Sequence, residues 1–216
     1  MEASITFKAV GKTVDKKTLL ADLSFGIEKG STFVIIGENG SGKTMILKLL
    51  VGLIQKDTGS VYIHGQDIVT RSLETRSICG YMPQTINLDE DLTIFENIMI
   101  HGQLHGLTSV EAKKNTLHWA DLLEFSENLN QFSSKLAYGL QRKILFARAL
   151  VHEPEVLLLD EPTTGMDPHS RSTVWNILDR LHHKKTIIFI TQNFTEAERY
   201  SDRIAILHEG NIKMDG

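Results

Sequence analysis

The feature that most constrains this 216-residue sequence is the loop motif Gly37-Glu38-Asn39-Gly40-Ser41-Gly42-Lys43-Thr44. Its glycines allow successive backbone N–H groups to turn toward a phosphate. The lysine can reach the outer phosphates, and the hydroxyl group of the last residue can bind magnesium. The motif therefore predicts that residues 37–44 form a phosphate-binding site for a nucleotide.

The sequence on either side of the motif supports this prediction. Residues 32–36 are β-branched or aromatic, as expected of a buried strand. After the motif, Ile46, Leu49, Leu50 and Leu53 recur at helical spacing and predict the core face of a helix. The N-terminus of that helix would point its dipole at the loop, where it favours an anion. We therefore prefer a phosphate site to a glycine-rich turn without a ligand.

Composition narrows the class of protein. Charged residues make up 23% of the chain and hydrophobic residues make up 41%, which is ordinary for a soluble globular protein. The formal net charge is -4, which does not indicate nucleic-acid binding. No apolar run approaches the ~20 residues of a membrane span, and residues 1–4 do not resemble a signal peptide. The single cysteine, Cys79, excludes an intrachain disulfide and fits a reducing compartment. We expect a cytosolic protein.

Short strands are predicted in the first part of the chain. Apolar alternation over residues 5–27 is broken by a polar turn at 14–17, and a further apolar run at 61–63 follows a turn at 57–59. Together these segments predict a small antiparallel sheet beside the nucleotide site. Another strand is predicted at residues 77–82.

The middle of the chain, residues 92–125, has a helical pattern. Two core faces are predicted, one formed by Ile94, Ile98 and Leu104 and the other by Leu117, Ala120 and Leu123. Thr108 and Glu111 have the spacing of a capping box and predict the start of the second helix. The pattern predicts a helical lobe inserted into an α/β core.

Helices and strands alternate in the last part of the chain. The predicted elements are a helix at 144–151, a strand at 156–159, a helix at 169–181, and strands at 186–191 and 203–207. The wholly apolar strand at 156–159 is typical of a parallel sheet that is buried on both faces. The alternation predicts a parallel sheet with helices packed against it.

An acidic pair, Asp160 and Glu161, follows this apolar strand. The C-terminal edge of a parallel sheet is where such side chains meet a ligand. The first carboxylate can hold magnesium, and the second can orient or deprotonate a water that attacks the terminal phosphate. A strand end in solvent is the alternative, but Lys43 and Thr44 favour the catalytic interpretation.

Several motifs follow one another in a fixed order along the chain. They are residues 37–44, Gln84, residues 136–150, residues 157–162, Asp167 and residues 201–207. The ordered set resembles the nucleotide-binding subunit of ATP-binding cassette (ABC) transporters over nearly the whole chain, and the context of the phosphate loop and of residues 92–107 most resembles the exporter branch. The phosphate loop alone would be weak evidence, because many unrelated nucleotidases carry one.

The resemblance implies a fold and a set of partners. The fold would be α/β, of the P-loop NTPase type, with a RecA-like parallel-sheet core, an N-terminal antiparallel β subdomain and an inserted helical subdomain. Residues 1–216 would form one nucleotide-binding domain, with its ATP-binding core at 1–84 and 151–216 and its helical subdomain at 85–150. The implied cofactors are ATP and Mg²⁺. The implied partners are a second ABC subunit, identical or different, and an integral membrane permease that would hold the chain on the cytoplasmic face of a membrane, without nucleic acid.

The resemblance also implies roles for individual residues. These are phosphate binding by Lys43 and the rest of its loop, magnesium binding by Thr44, Gln84 and Asp160, and base catalysis by Glu161. Gln84 would also border the groove for the membrane subunit, and Asp167 would belong to a loop that crosses between protomers. Two subunits would sandwich two ATP molecules and each would supply its signature segment to the other, so an isolated monomer is expected to hydrolyse poorly.

The signature segment departs from the family pattern. It is usually Leu-Ser-Gly-Gly-Gln, and here it is Leu136-Ala137-Tyr138-Gly139-Leu140. Ala137 has no hydroxyl group to offer a γ-phosphate. Tyr138 lacks the backbone freedom of the glycine that it replaces, so that Gly139 is the one signature glycine left.

Two further positions depart from the pattern. Gln192 stands in place of the switch histidine, and its amide can donate a hydrogen bond to the γ-phosphate but is always neutral. Val14 stands in place of the aromatic residue that stacks on adenine. Because Lys43, Asp160 and Glu161 are kept, we favour slow or asymmetric hydrolysis over ATP binding without turnover.

Other functions compete with a transport ATPase. A soluble ABC protein acting on ribosomes or DNA usually carries two cassettes or a long coiled coil, whereas Gln84 and Leu136 are 52 positions apart here without sustained heptads. A regulatory or structural nucleotide-binding module stays open. His101 and His105 have a spacing that zinc ligands can have, but Gly102 occupies the place of a metalloprotease glutamate, and we interpret the pair as surface or packing residues.

Overall fold

The computed structural model describes residues 3–216, except for the side chains of residues 214 and 215. Its strands are β1 (Ala3–Val14), β2 (Lys17–Glu28), β3 (Thr32–Ile36), β4 (Thr58–Ile63), β5 (Gln66–Asp67), β6 (Cys79–Met82), β7 (Val156–Asp160), β8 (Thr186–Thr191), β9 (Arg203–His208) and β10 (Asn211–Asp215). Its helices are α1 (Lys43–Leu50), α2 (Ser72–Ser77), α3 (Ile94–Leu104), α4 (Ser109–Leu122), α5 (Tyr138–Leu150), α6 (Pro168–Leu181) and α7 (Phe194–Tyr200), with short 3-10 helices at Ser126–Asn128 and Ser133–Lys135. Among these residues, no helix combines the length and the apolar character needed to cross a membrane.

The strands form two sheets. β2, β1, β4 and β5 lie in that order in an antiparallel sheet. The central sheet has the order β10-β9-β3-β8-β7-β6, and its neighbouring strands are parallel except for β10 and β9. The predicted α/β class, with an antiparallel N-terminal sheet and a parallel core, is confirmed.

The central sheet is buried on both faces. Every residue of β7 and β8 is buried. Ile188 and Ile190 belong to a core shared with α1 and the antiparallel sheet, whereas Ile187 and Phe189 belong to a second core shared with α5 and α6. This alternation follows from the two-residue period of a strand, which sends successive side chains to opposite faces. Polar residues can therefore reach a ligand only at the strand ends.

The register of the parallel strands brings these ends together. Ile36 of β3 pairs with Thr191 of β8, and Asp160 of β7 pairs with Ile190 of β8. The loops that leave these strands consequently open at one edge of the sheet, as does the loop after β6. The residues on these loops include the phosphate-loop motif, Gln84, Glu161 and Gln192.

The prediction that Leu53 lies on the core face of α1 is wrong. The helix ends at Leu50, and Leu53 is 63% exposed. Gly52 ends the helix because its backbone is in the left-handed region, with φ 67°, and its N–H donates to the carbonyl of Leu49. The apolar spacing continues past this glycine, but the helix does not.

Two predicted core positions of the helical lobe are also wrong. Leu104 is 80% exposed and Leu117 is 46% exposed, whereas Ile94, Ile98, Ala120 and Leu123 are buried as predicted. Close packing at the end of α3 falls instead on the buried Gly102, where an added Cβ would lie 3.3 Å from a methyl carbon of Val151. The rotation of each helix is set by such contacts, which short apolar patterns do not reveal.

Several element boundaries differ from the prediction. Ser77 ends α2, so the strand predicted from residue 77 begins at Cys79. The residues Thr58 and Gly59, predicted as part of a turn, already belong to β4. Helix α5 begins at Tyr138, six residues before the predicted start. Residues 138–143 thus form the first turns of a helix whose start the apolar pattern does not show.

Both helices of the lobe begin with a capping box. The box at Thr108 is confirmed, because its hydroxyl accepts from the Glu111 N–H at 3.3 Å and the Glu111 carboxylate accepts from the Thr108 N–H at 2.9 Å. The same reciprocal bonds join Thr93 and Glu96 at the start of α3, which the sequence analysis missed. Each box satisfies N–H groups that the helix itself leaves free.

Contact between β6 and α5 requires glycine at position 80. An added Cβ there would lie 2.1 Å from the carbonyl oxygen of Ala149 and 2.7 Å from Cγ of Pro154. We expect Gly80→Ala to lower the free energy of unfolding by about 1–3 kcal/mol, as overpacking does, when measured by urea titration. The control is Gly26→Ala in β2, where the nearest atom is 3.8 Å away. Equal losses in the two variants would contradict this assignment.

Candidate nucleotide-binding site

The phosphate-loop motif connects β3 to α1 through glycines in unusual backbone conformations. Gly40 and Gly42 have φ values of 79° and 105°, which lie in the left-handed region that favours glycine. An added Cβ at Gly42 would lie 2.5 Å from the carbonyl oxygen of Leu19. At Gly40 an added Cβ would meet no atom within 4 Å, so the loop is open at this point.

Lys43, the first residue of α1, lies beneath the loop. Its side chain is largely buried, and Nζ donates to the carbonyl oxygens of Gly37 and Glu38, at 2.7 Å in each case. Burial lowers the pKa of Lys43, although the nearby Glu161 and Asp160 act in the opposite direction. The lysine thus provides a positive charge at the loop that faces two carboxylates across the site.

Asp160 and Glu161 are buried carboxylates with unused hydrogen-bonding capacity. They are 1% and 7% exposed, and Asp160 Oδ2 and Glu161 Oε1 have no hydrogen-bond partner among the described residues. Burial raises the pKa of both groups, while a hydrogen bond with Thr44 opposes the shift at Asp160. Buried carboxylate oxygens beside a threonine hydroxyl are a donor set that suits a hard cation such as Mg²⁺.

Gln192 connects Glu161 with the phosphate loop. Its Nε2 donates to Asn39 Oδ1 at 2.8 Å, and its side chain also hydrogen-bonds to Glu161, where it lowers the pKa. Oε2 of Glu161 accepts from the Thr164 hydroxyl at 3.1 Å. Glu161 itself has φ 51°, a left-handed conformation that is uncommon for this residue type and is typical of functional sites.

These groups surround one cavity of about 250 Å³. The predicted site residues in its lining are Asn39, Gly40, Gly42, Lys43, Thr44, Gln84, Asp160, Glu161 and Gln192. The lining also includes Leu19, Met45, Lys48 and Ile190, which the sequence analysis did not select. Glu38 and Ser41 line a neighbouring cavity of about 380 Å³ together with Lys17, Thr18 and His208.

Other predicted residues lie outside both cavities. Val14 is 38% exposed at the end of β1, and the β1–β2 hairpin contributes Lys17, Thr18 and Leu19 to the cavities instead. The signature residues Ala137, Tyr138 and Gly139 also lie outside, at the start of α5. The structure of one chain therefore does not bring the signature to its own phosphate loop.

The start of α5 shows what the signature departures do locally. Ala137 is the N-cap residue of α5, and it provides no side-chain hydrogen bond to the first turn. Serine, which is usual for the family here, is a strong N-cap residue. Tyr138 is 46% exposed, and its ring lies so close to Gly165 that an added Cβ on that glycine would be 2.3 Å from Cε1.

Asp167 is the N-cap residue of α6. Its Oδ1 accepts from the Ser170 N–H at 3.0 Å, and its Oδ2 accepts from the Ser170 hydroxyl at 2.6 Å. These bonds lower the pKa of Asp167 to about 2. The residue therefore stabilises a helix within its own chain, whatever it contacts in an assembly.

Arg142 of α5 is a site residue that the sequence analysis missed. It is fully buried, and its Nη1 donates to the carbonyl oxygens of Pro83 and Gln84 at 2.8 and 2.7 Å. Its Nη2 donates to the carbonyl oxygens of Asp160 and Glu161 at 3.1 and 2.6 Å. One guanidinium group thus holds the loop after β6 against the loop after β7. The feature of the sequence that could have indicated this role is an arginine among the apolar residues of α5.

Comparison with known sequences gives consistent matches. A family model described as "ABC transporter" matches residues 20–164. The chain is 38% identical over 218 residues to the Nod factor export ATP-binding protein I of Burkholderia thailandensis, across 99% of this chain and 71% of that protein. It is 34% identical over 217 residues to the protein of the same name from Rhizobium etli, across 99% of this chain and 68% of that protein.

Solved structures with the same fold also match. One is described as the ATP-binding subunit of an ABC transporter, with a TM-score of 0.91, 26% identity, and coverage of 98% of this chain and 89% of that chain. Another is a dimeric ATP-binding cassette in a post-hydrolysis state bound to ADP and Pi, with a TM-score of 0.90, 25% identity, and coverage of 98% and 97%.

The bonds of Arg142 give a prediction about stability and turnover. We expect Arg142→Lys to lower the free energy of unfolding by roughly 3 kcal/mol, because an ammonium group cannot reproduce the forked donors that bind four backbone carbonyls. ATP hydrolysis should fall more than ATP affinity, because Arg142 holds Gln84 and Glu161 rather than the phosphate loop. Calorimetric titration measures ATP affinity, and phosphate release measures ATP hydrolysis. Arg180→Lys on the exposed side of α6 is the control, and a similar result for both variants would contradict the prediction.

Burial of Glu161 gives a prediction about pH. Because its pKa is raised in the folded chain, the ionised carboxylate opposes folding. We expect Glu161→Gln to raise the melting temperature of the nucleotide-free protein by a few degrees at a pH above the folded pKa. The gain should shrink as the pH falls toward the ordinary value of 4.5, since the wild-type group then becomes protonated. Glu198→Gln, at an exposed position of α7, is the control, and a pH-independent gain at Glu161 would contradict the assignment.

Proposed function

The chain belongs to the ABC transporter family, as one of its ATP-binding and ATP-hydrolysing subunits, and from this premise we propose that it powers export through a separate membrane permease. The observation that carries the proposal is the convergence of Lys43, Thr44, Asp160 and Glu161 on one cavity at the edge of the central sheet. The direction of transport is supported by the relatives whose names include export.

Within this proposal, different groups around the cavity bind the phosphates, hold the metal ion and accept the proton. The backbone N–H groups of the loop and Lys43 bind the phosphates of ATP. Thr44, Gln84 and Asp160 hold Mg²⁺, whose charge offsets that of the phosphates. Glu161 accepts the proton of the attacking water, and the burial that raises its pKa makes the carboxylate a better base.

A second ABC subunit, identical or different, completes the proposed site. The signature residues 137–139 lie outside the cavities of their own chain, and Tyr138 is 46% exposed. They are therefore available to a partner subunit. The similarity to a dimeric cassette bound to ADP and Pi supports this arrangement. The proposed division into a core, 1–84 and 151–216, and a helical subdomain, 85–150, leaves the whole of α3, α4 and α5 in the subdomain.

Hydrolysis is proposed to be slow or asymmetric. Because the Gln192 amide is neutral, it cannot supply the positive charge that a protonated histidine would offer a γ-phosphate. The amide is also already bonded to Asn39 and Glu161. Ala137 supplies no hydroxyl group. The same features favour a second candidate function, an ATP-binding module with little turnover, and phosphate release by the assembled complex separates the two.

The experiment uses the chain, with an affinity tag, purified with its membrane partners from detergent-solubilised membranes. We expect Gln192→His to raise kcat for ATP hydrolysis several-fold, with a smaller change in KM, because the imidazole can carry charge and the amide cannot. Restoring serine and glycine with Ala137→Ser and Tyr138→Gly should also raise kcat. Steady-state phosphate release measures both effects.

The control is Gln192→Leu, which has a similar size and no hydrogen-bonding group. It should lower kcat if the amide contributes to turnover. Unchanged kcat in the histidine variant and in the restored signature would contradict slow hydrolysis as proposed. Recovery of the chain without any integral membrane protein would contradict the proposed role in transport.

A further inference from the structure

Three histidines come together away from the nucleotide site. His101 lies in the last turns of α3, His105 is the C-cap residue of that helix, and His152 follows the end of α5. One ring nitrogen of each lies within 4.8 Å of those of the other two. The ring centroids are 3.9 Å apart for His105 and His152, and 4.7 Å apart for His101 and His105. Only His101 and His105 form a local pattern in the sequence, because the third histidine comes from a distant segment.

A hydrogen bond fixes which nitrogen of His152 is available. Its Nε2 lies 3.1 Å from the carbonyl oxygen of Cys79, which can only accept, so Nε2 carries the hydrogen. The other nitrogen, Nδ1, has a lone pair, is buried, and has no hydrogen-bond partner among the described residues. Metal-binding histidines have this arrangement, with one ring nitrogen donating to a backbone carbonyl and the other on the metal.

The protonation state of the cluster suits a metal. Burial lowers the pKa of His101 to about 3 and that of His152 to about 4, and it lowers the pKa of His105 as well. Neutral imidazole is the form that binds metal, so binding at neutral pH would not first require the loss of protons.

We propose that His101, His105 and His152 form a binding site for a divalent transition-metal ion of the Zn²⁺ or Co²⁺ type. Imidazole nitrogen suits these ions, whereas Mg²⁺ and Ca²⁺ prefer oxygen ligands. Three protein ligands leave a fourth position for water or another ligand. The site is independent of the nucleotide site and of the proposed transport function.

Metal binding requires the side chains of the cluster to rotate and bring their nitrogens closer together. Tetrahedral zinc with bonds of about 2.0–2.1 Å needs ligand nitrogens about 3.3 Å apart. The rings of His105 and His152 are stacked, with an interplanar angle of 20°, so one ring must turn to direct both lone pairs at one point. The torsion concerned, χ2 of histidine, is broad.

The surroundings limit affinity and provide access. His101 and His105 line a cavity of about 300 Å³ that also contains Pro83, the residue before Gln84. Arg148 lines the same cavity and donates to the backbone carbonyl of Asn87 at 3.0 Å and to its side chain. The positive charge of Arg148 lowers the pKa of His101, and the positive charge of Lys185 lowers the pKa of His152. The same two charges would repel a bound metal cation. We therefore expect reversible binding rather than a permanently held ion.

The test is metal titration of the nucleotide-free, chelator-treated protein, purified without a histidine tag. We expect one Co²⁺ per chain with the visible absorption of a tetrahedral complex, and competition by Zn²⁺ but not by Mg²⁺. His152→Ala should weaken Co²⁺ binding at least tenfold, and so should His105→Ala. His118→Ala, an exposed histidine of α4, is the control and should leave binding unchanged.

The melting temperature and Co²⁺ binding are measured for each variant, so that loss of binding can be told apart from loss of folding. The melting temperature of each metal-free variant shows whether it folds, and a folded His105→Ala decides the matter if His152→Ala does not fold. Absence of saturable Co²⁺ binding by the parent protein would overturn the proposal, as would binding that survives the loss of either histidine. In those cases the three rings pack together without a metal.

Discussion

The architecture depends on a central parallel sheet that is buried on both faces. Because β7 and β8 are buried along their whole length, successive side chains enter two separate cores, and polar groups are confined to the strand ends. The parallel register then aligns those ends at one edge. The nucleotide site is a consequence of this constraint, since the phosphate loop and the acidic pair both leave the sheet there.

A site at this edge of the sheet buries several charged groups, which is unfavourable, and hydrogen bonds to backbone carbonyls stabilise the buried cations Lys43 and Arg142. Lys43, Asp160 and Glu161 all have pKa values shifted by burial toward the neutral form. Arg142 binds four carbonyl oxygens of the two loops that carry Gln84 and Glu161. None of these four bonds goes to the phosphate loop, so the role of Arg142 is to position the two other loops around the cavity.

The departures from the family pattern lie around an intact phosphate-binding centre. Gln192 still connects the loop to Glu161 through its amide. Ala137 leaves the first turn of α5 without a side-chain cap, and Tyr138 packs against Gly165. In the proposed function, these residues would contact a γ-phosphate or a second subunit. The proposed function assigns ATP phosphate binding to Lys43 and its loop instead.

The sequence by itself determined the phosphate loop, the buried strands, the acidic pair and the capping box at Thr108, because each is a local pattern of residue type and spacing. Only the tertiary structure decided that Leu53 and Leu104 are exposed, that Val14 lies outside the cavities, and that Arg142 and His152 join distant segments. Helix rotation and contacts between remote parts of the chain are set by packing of the whole core, and no local spacing encodes them.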